Sequence, residues 1–553
     1  MRKIQSNQKK PFAEDGVITK AIPSPTDGWD ALSPLALMDP KRAPILTNWV
    51  PRPGWVELRA GYNVWASTGG TSPVETLMVF RGAGAEKMFA ASDAHIYNVS
   101  TQYTATSVVS GLTSARFQYV NFTSSGQVHV LQAANGTVLL QYNSPTPGSW
   151  TDITASITNL PGGYTIRSVY TQKQRLWYLL NDASGNPSTI AAYLAAGSLT
   201  GNVITQDLGT LWTKGGYLIA MADWTIDGGA GPQDYVAFIS SRGQISVYQG
   251  TDPTSVNTWS LVGTFQVSPP IGNRCATSIG SDVAIITQQG VIPLSSALPF
   301  DPSADRSVAI TSRIQNQMAM WAQSYSSNFG WQVITFPLQQ LLFLNVPTAE
   351  NSTQVQAVMN VLTGAWCQFT GWNANCFEIF NNNLYFGDNT GNIAQGYVGS
   401  SDLFSSIDAD MQCAFNYFDD PGRIKRMTLV QPLLTAAGNI TPTMAVDYDF
   451  STSTAVAPIS TFTGGSLWDK AIWDVSVWAA ASTNLISWYS VEALGHALAI
   501  RMRVNFSGGE STANGVFDLG TFDNSIFDSG LSTSAPLLNL NAFNAVMELG
   551  GFI

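Results

Sequence analysis

The chain has 553 residues, of which 45% are hydrophobic and only 11% charged, and Lys plus Arg 26 against Asp plus Glu 37 leaves a net charge of −11. That length predicts two to four domains with enough interior to fold without disulfide staples, and 17 Trp, 18 Tyr and 26 Phe exclude a disordered chain. The acidic balance excludes a protein that grips nucleic-acid phosphates, and no apolar run approaches the roughly 18 residues of a membrane-spanning helix.

The first ten residues carry Arg2, Lys3, Lys9 and Lys10 but no apolar stretch after them, so a secretory signal is not expected and folding in the cytoplasm is. Four charges at a terminus are ordinarily solvated, although they would also suit an acidic partner surface. Residues 1–70 read as an extended arm, because Pro23, Pro25, Pro34, Pro40, Pro44, Pro51 and Pro53 recur too often for a helix or a central strand. Trp29, Leu35, Leu37, Trp49, Trp55 and Tyr62 lie between those prolines as anchors against a folded body.

Residues 71–400 read as short strands that recur. The unit is a β-run, a Gly turn, a strand ending in Tyr, a polar loop, then Trp and another short β-run. One copy is Gln127–Leu131, Gly136–Tyr142 and Trp150–Ile153; a second is Tyr235–Ile239, Gly243–Tyr248 and Trp259–Val262; a third is Val355–Val361 followed by Gly364–Phe369. Trp150, Trp259 and Trp366 lie 109 and 107 residues apart with Trp212 between the first two, so each interval holds two units of about 53 residues. Partial units near 75–110 and 375–400 bring the total to six or seven. Four short strands at that period predict an all-β fold, a six- or seven-bladed β-propeller. One helix interrupts it over Ser303–Gln323, where Ile310, Ile314, Met318 and Trp321 follow helical spacing with Ser303 or Asp305 as N-cap.

Residues 401–510 read as a second, β-sandwich-like domain and residues 511–553 as a separate tail. Each carries an aromatic residue at every fifth position: Trp468, Trp473 and Trp478 in the domain, Phe517, Phe522 and Phe527 in the tail. A period of five fits neither a strand nor a helix; successive tight turns suit it, each Asp bonding local backbone. The Trp ladder fits core and interface equally, and the Phe ladder is expected to dock a neighbouring chain. Calcium held by Asp518, Asp523 and Asp528 is disfavoured, because such sites need denser oxygen ligands.

No catalytic, cofactor-binding or metal site is expected. Cys275, Cys367, Cys376 and Cys413 lack metal-ligand spacing and are expected as free thiols, and His95, His129 and His496 fit structural or surface roles. Asp447 and Asp449 share one face of an expected strand, where a solvated pair is the simpler reading than an acid/base pair. There is no G-x-S-x-G, P-loop, H-E-x-x-H or dinucleotide fingerprint. A propeller glycosidase of the sialidase type is a rival, but its S-x-D-x-G-x-T-W turn is absent at Ser149-Trp150 and at Thr258-Trp259.

Pro25, Gly28, Trp29, Asp39, Pro40, Asn48, Trp49, Pro51, Gly54, Gly61 and Tyr62 form a P-x-x-G-W…D-P…N-W-x-P…R-x-G-Y pattern. This opening resembles the tail nozzle or hub proteins of short-tailed bacteriophages, in which such an arm precedes a β-propeller and W-D pentads recur. Position 50 is Val where that group has Phe. The resemblance implies a structural, non-enzymatic virion protein made in the host cytoplasm, with six copies forming a ring. Portal and adaptor would lie above it, and tail fibres, spikes or a needle below. Duplex DNA would pass through without sequence-specific contact, and the ring would retain the genome until ejection. The alternatives are a propeller glycosidase or depolymerase acting on host surface polysaccharide, and a carbohydrate- or protein-binding propeller.

Overall fold

The computed structural model describes residues 16–82, 84, 86–143, 148–227, 232–255, 257–280, 282–297, 308–403, 405–437, 440, 442–451, 482–506 and 538–552. They fall into two compact units, one of Met1–Ala60, Ala365–Cys367 and Gly399–Ile553, the other of Gly61–Gly364 and Gln368–Val398.

The second unit is a β-propeller, and among its described residues seven blades follow in chain order. Blade I is Val74–Phe80, Lys87–Ser92, His95–Asn98 and Thr106–Val109; blade II is Gln118–Thr123, His129–Ala134, Leu139–Asn143 and Ser149–Asp152. Blade III is Thr165–Gln172, Arg175–Asn181, Pro187–Tyr193 and Ile204–Asp207; blade IV is Leu218–Asp227, Pro232–Ser240, Gln244–Gly250 and Trp259–Gln266. Blade V has three strands, Ala276–Ile279, Asp282–Thr287 and Gly290–Pro293; blade VI is Gln332–Phe336, Leu341–Ala349, Thr353–Asn360 and Trp366–Phe369. Blade VII takes Ala374–Phe380, Asn383–Asp388 and Asn392–Gly396 from one end of the unit and Tyr62–Ser67 from the other.

That last strand closes the ring. Tyr62–Ser67 lies outside the 71–400 span read from the sequence, where the proline-rich neighbourhood hid it. It pairs antiparallel with Asn392–Gly396 and caps what would otherwise be an open sheet edge. The first strand of blade VII packs on the first strand of blade I. Shared apolar clusters fill the gaps between blades: Phe80, Phe89, Leu131 and Tyr142 between I and II, Leu139, Ile166, Leu176 and Tyr178 between II and III, and Trp177, Leu179, Val236 and Phe238 between III and IV.

The recurring Tyr and Trp acquire a physical reason. Trp150 and Trp259 sit on outermost strands, and each ring meets the Tyr of the preceding strand: Trp150 and Tyr142 with centroids 5.5 Å apart, Trp259 and Tyr248 stacked at 5.2 Å. Trp259 also stacks on Trp177 of the preceding blade at 6.0 Å. Blade V lacks a described fourth strand; after its third strand come a short helix, Leu294–Ala297, and the helix Gln315–Tyr325. The longer helix packs its buried Met318, Trp321 and Ala322 toward Gly290–Pro293 and Leu341–Ala349. It starts later than the spacing suggested: Ser312–Ile314 is a 3₁₀ turn, and Ile310 lies in a turn with its amide bonded to the Val291 carbonyl. Ser303 and Asp305 lie outside the described residues.

The first unit is sandwich-like. One sheet joins Val17–Pro23, Trp49–Arg52, Trp55–Leu58, Arg423–Ala437, Ser482–Leu485, Tyr489–Gly495 and Leu538–Phe552. A second runs Ile45–Thr47, Ile407–Gln412, Leu498–Phe506, Thr443–Tyr448. The arm is therefore strand-forming, and its Pro51 falls on the edge strand, where a missing N–H costs no ladder bond. Leu538–Phe552 differs from the separate tail that the sequence suggested. Alternate burial of Leu538, Leu540, Phe543, Ala545 and Met547 draws it into the sheet between Arg423–Ala437 and Trp55–Leu58. Trp468, Trp473, Trp478, Phe517, Phe522 and Phe527 lie outside the described residues, as do Asp518, Asp523, Asp528 and the basic start.

Candidate functional site

The arm residues singled out by resemblance are structural. Gly28 holds φ +81°, and a Cβ there would stand 2.5 Å from the Trp366 carbonyl oxygen, so only glycine fits. Its amide donates to the Pro25 carbonyl at 3.0 Å, and the Trp29 indole donates to Pro44 O at 3.1 Å. Asp39 and Pro40 make a turn, with Asp39 accepting from the amides of Lys41 and Arg42 at 2.9 Å each. Trp49 is fully buried, and Gly54 (φ +95°) turns the chain between Trp49–Arg52 and Trp55–Leu58. Gly61 accepts from the Val398 amide, and the Tyr62 ring meets Phe386 and Trp372 at 5.1 and 6.4 Å.

The centre of this arrangement is Arg59, whose role the sequence did not reveal. Its side chain is wholly buried and forks onto Asp402, Nη1 to Oδ1 at 2.8 Å and Nη2 to Oδ2 at 2.5 Å. Nε donates to Asn48 Oδ1 at 2.8 Å, and Nη1 also to the Ala60 carbonyl at 3.0 Å. Asn48, at φ +60°, turns its Nδ2 to the Asp408 carbonyl at 2.7 Å. A buried guanidinium needs such complete engagement.

Within the propeller, polar side chains on and beside the strands bridge blade to blade, Arg274 beside blade V reaching blade I and Arg116 beside blade II reaching Glu350 of blade VI. Arg274 donates to the Glu75 carbonyl and to Thr76 Oγ1 at 3.0 and 2.9 Å, while Thr76 donates to Ala115 O at 2.7 Å. Arg116 pairs with Glu75 at 2.8 Å and Glu350 at 2.6 Å, and Phe329 lies between the Arg116 and Arg274 guanidiniums at 4.2 and 5.1 Å. Arg81 pairs with Glu378 at 3.2 Å. Burial raises the Glu378 carboxyl, against the Tyr119 hydroxyl and Arg81, which favour its charge. These carboxylates each face a guanidinium, an arrangement suited to struts between blades.

One cleft opens among blades II to IV. Its volume is about 610 Å³, and it is lined by Asn121–Ser125 at the end of one first strand, Thr171–Gln174 at the end of the next, and Asp223. Lys173 and Gln174, at φ +48° and +56°, form the two-residue turn of a hairpin and project Lys173 toward Asp234, to which its Nζ donates. Thr225 is Asp234's cross-strand partner, which puts Asp223 on the same face of the sheet as Asp234 and diagonally across from it. Burial first, and Asp234 second, raise the Asp223 carboxyl above its ordinary value, opposed by Lys173 and the Trp224 amide. Gln172 is 2% exposed, and neither its amide nitrogen nor its amide oxygen has a hydrogen-bond partner. The sequence reading missed this cleft because its parts come from three blades and share no local spacing.

The groups weighed for catalysis have separate local roles. Asp447 is 1% exposed and accepts from Gln412 Nε2 at 2.6 Å, which corrects the expectation of a solvated face. Asp449 lies beyond the strand at φ +45° and accepts from the His496 and Ala497 amides at 2.8 and 3.0 Å. The two are not a pair. His129 shares a hydrogen with Thr123 at 2.9 Å. All four cysteines are buried and none forms a disulfide; burial raises Cys275, Cys376 and Cys413 to about 12, 11 and 12, and Cys367 in the same direction. Among the described residues no group of three His, Cys, Asp or Glu is placed to hold a metal, and no helix is long and apolar enough to cross a membrane.

No protein-family model matches the chain, and no curated protein does. Among solved structures it is similar to the extracellular domain of a one-component system from B. thetaiotaomicron, at 11% identity and TM-score 0.37, over 69% of this chain and 48% of that one. The chain thus spans about half the length of that protein. It is also similar to an exo-β-1,3-galactanase from Phanerochaete chrysosporium, at 10% identity and TM-score 0.27, over 88% of this chain and 99% of that one. At those scores neither likeness assigns an activity.

Proposed function

We propose that the chain is a structural subunit of a short-tailed bacteriophage tail, a nozzle or hub protein whose copies form a ring around the DNA path. One observation carries the reading: the arm pattern that resembles this group consists of residues that build the fold. Gly28 and Trp49 are packed into the first unit, Arg59 ties Asn48 to Asp402, and Tyr62 then begins the strand that closes the propeller. A resemblance resting on such residues speaks for a shared architecture rather than a shared reaction. The low-charge, acidic composition supports it too, since such a wall would let duplex DNA slide past without trapping it.

Electron microscopy of particles from the source phage, with this chain epitope-labelled, tests the reading. Label in a ring at the tail, with six copies per particle, is the expected result. A chain found only in the soluble fraction of the lysate overturns it.

A second reading, a propeller acting on polysaccharide, is favoured by the raised Asp223 beside Asp234 in an open cleft. Release of reducing sugar by the purified protein, abolished by Asp223→Asn, would favour it over the first.

A further inference from the structure

Between Leu208 and Ile279 the chain has three basic residues, Lys214, Arg242 and Arg274, and four acidic ones, Asp223, Asp227, Asp234 and Asp252. The fold sorts them by sign. Lys214 and Arg274 precede the first strands of blades IV and V, and Arg242 sits in the turn that the pairing of Leu218 with Ser240 returns to the same rim of the ring. Asp223 and Asp227 lie on the second half of blade IV's first strand, Asp234 early on its second and Asp252 beyond the end of its third, all toward the opposite rim. Arg167 joins the basic rim from blade III, near the start of that blade's first strand, and its guanidinium lies 5.5 Å from the Tyr217 ring centroid. The Tyr217 amide donates to Ser241 Oγ at 3.1 Å and the Lys214 amide to Gln244 Oε1 at 2.7 Å, which ties both to the turn that carries Arg242.

Other cations of the propeller are taken: Arg81, Arg116, Lys173 and Arg175 each face a carboxylate. Among the described residues none of Arg167, Lys214, Arg242 and Arg274 stands within ion-pair distance of one. The carboxylates that blade III brings to this rim are engaged locally, Asp182 by the Ser184 and Asn186 amides and Asp207 by the Gly209 amide. Arg274 turns inward to the Glu75 carbonyl and Thr76, which leaves Lys214 and Arg242, both exposed, and the half-buried Arg167 as the charge this rim offers.

We propose that this rim of blades III to V meets the phosphate backbone of duplex DNA. The proposal deepens the nozzle reading and rests on it for the duplex. A guanidinium fork matches a phosphate's paired oxygens and an ammonium supplies a point charge beside it. Gly215 and Gly216, at φ +66° and +95°, keep the loop between Lys214 and Tyr217 free of side chains, so a backbone can approach closely. The chain's net charge of −11 forbids a tight grip, and three cations give a brief, sequence-independent contact that leaves the duplex able to slide. The carboxylates of the opposite rim repel phosphate and so fix which end of the propeller faces it.

The test is fluorescence anisotropy of a labelled duplex of about 30 base pairs titrated with the full chain between about 20 and 200 mM NaCl. A Kd on the order of 10⁻⁵ M at about 50 mM salt is expected, weakening with a log–log slope of about −2 to −3. Lys214→Ala with Arg242→Ala, both at exposed positions, is expected to weaken binding about tenfold and to shrink the slope by about 2, with the urea unfolding curve unmoved. Lys41→Ala, which removes an exposed cation from the first unit, is expected to bind as the parent does. No binding at about 20 mM salt, or a loss on Lys41→Ala equal to that on Arg242→Ala, overturns the proposal. Polyglutamate that displaces the duplex at equal charge concentration also overturns it, in favour of an acidic protein partner. A purified chain that fails to bind while labelled particles still show the ring defeats this proposal alone, whereas absence of the ring defeats the nozzle reading.

Discussion

The buried fork between Arg59 and Asp402 gives the sharpest stability prediction. Asp402→Ala removes two charge-assisted hydrogen bonds, of 2.8 and 2.5 Å, from a guanidinium with no exposed surface. Leaving one member of a buried pair uncompensated costs about 3–5 kcal/mol, because the remaining charge keeps its desolvation penalty and loses its partner. Asp402→Asn keeps one acceptor and should cost roughly half as much, about 2 kcal/mol. The double variant Arg59→Met, Asp402→Leu leaves no buried charge unpaired and should recover part of the single-variant loss, the remainder being the donors that Asn48 Oδ1 and the Ala60 carbonyl lose with Arg59. Asp419→Asn serves as control, since Asn tolerates the left-handed φ of +68° at that position. Its carboxylate is 90% exposed and meets Lys20 at 3.1 Å, so the expected change is under about 0.5 kcal/mol.

Urea unfolding followed by tryptophan fluorescence and by circular dichroism reads these differences. Because Arg59 and Asp402 both belong to the first unit, the loss should fall on the transition that reports that unit. An Asp402→Ala cost below about 1 kcal/mol, or a double variant no more stable than the single one, would refute the reasoning that this arginine is held by its charge partner.

Glycine substitutions separate conformational from steric cost. Gly54→Ala, at φ +95° with nothing within 4 Å of the new Cβ, should cost about 1 kcal/mol by chemical denaturation, whereas Gly28→Ala, at φ +81° and 2.5 Å from Trp366 O, should cost clearly more than about 2. Equal costs would count against the close approach. Asp30 predicts an acid limb: burial opposes its charge, but bonds from Ser33, Leu32 and Arg42 together lower its pKa below the ordinary value of 3.8. The folded state then binds that proton less readily than the unfolded one. Its contribution is present above about pH 4 and lost as pH falls through the lowered value, and Asp30→Asn should flatten urea stability measured between pH 3 and 5. Thiol labelling gives a third check. With all four cysteines buried and raised, a disulfide reagent at pH 8 should modify none in the native protein within minutes and all four in guanidinium; rapid native labelling of any one would contradict its placement.

Much of the propeller was legible because its signal is local. A Tyr closing one strand and a Trp opening the next meet within a single blade, so Tyr142 with Trp150 and Tyr248 with Trp259 left a mark at fixed spacing. The closing strand was not legible for the opposite reason. Tyr62–Ser67 pairs with residues more than 300 positions away, and nothing in a short window announces a partner so distant. Leu538–Phe552 escaped in the same way, since its alternation reads as a strand but the sheet that receives it is assembled from both ends of the chain. Asp447 and Asp449 show the limit of period-two reasoning: the strand stops at Tyr448, and the left-handed backbone of Asp449 and Phe450 sends the second carboxylate to a different task. The cleft had no sequence signal at all, because Asn121, Gln172 and Asp223 are ordinary polar residues until three blades bring them together.

That difference in legibility bears on what the molecule is for. In the arm, polar residues are committed: the guanidinium of Arg59 is engaged through Nε, Nη1 and Nη2, and substitution there would be felt as lost stability. Between the blades, Arg116 and Arg81 face Glu75, Glu350 and Glu378, so charge is spent on rigidity rather than left for chemistry. Buried side-chain polar atoms without a hydrogen-bond partner occur in both units, among them Ser24 Oγ, Asn63 Oδ1, Trp177 Nε1 and the Gln172 amide, and displaced protonation reaches Glu378 and Lys425 as well as Asp223. Forks and struts of this kind commit the charged side chains of the arm and the blades to rigidity. Changing Arg59 should then be felt in the unfolding of the first unit, to which it and Asp402 both belong.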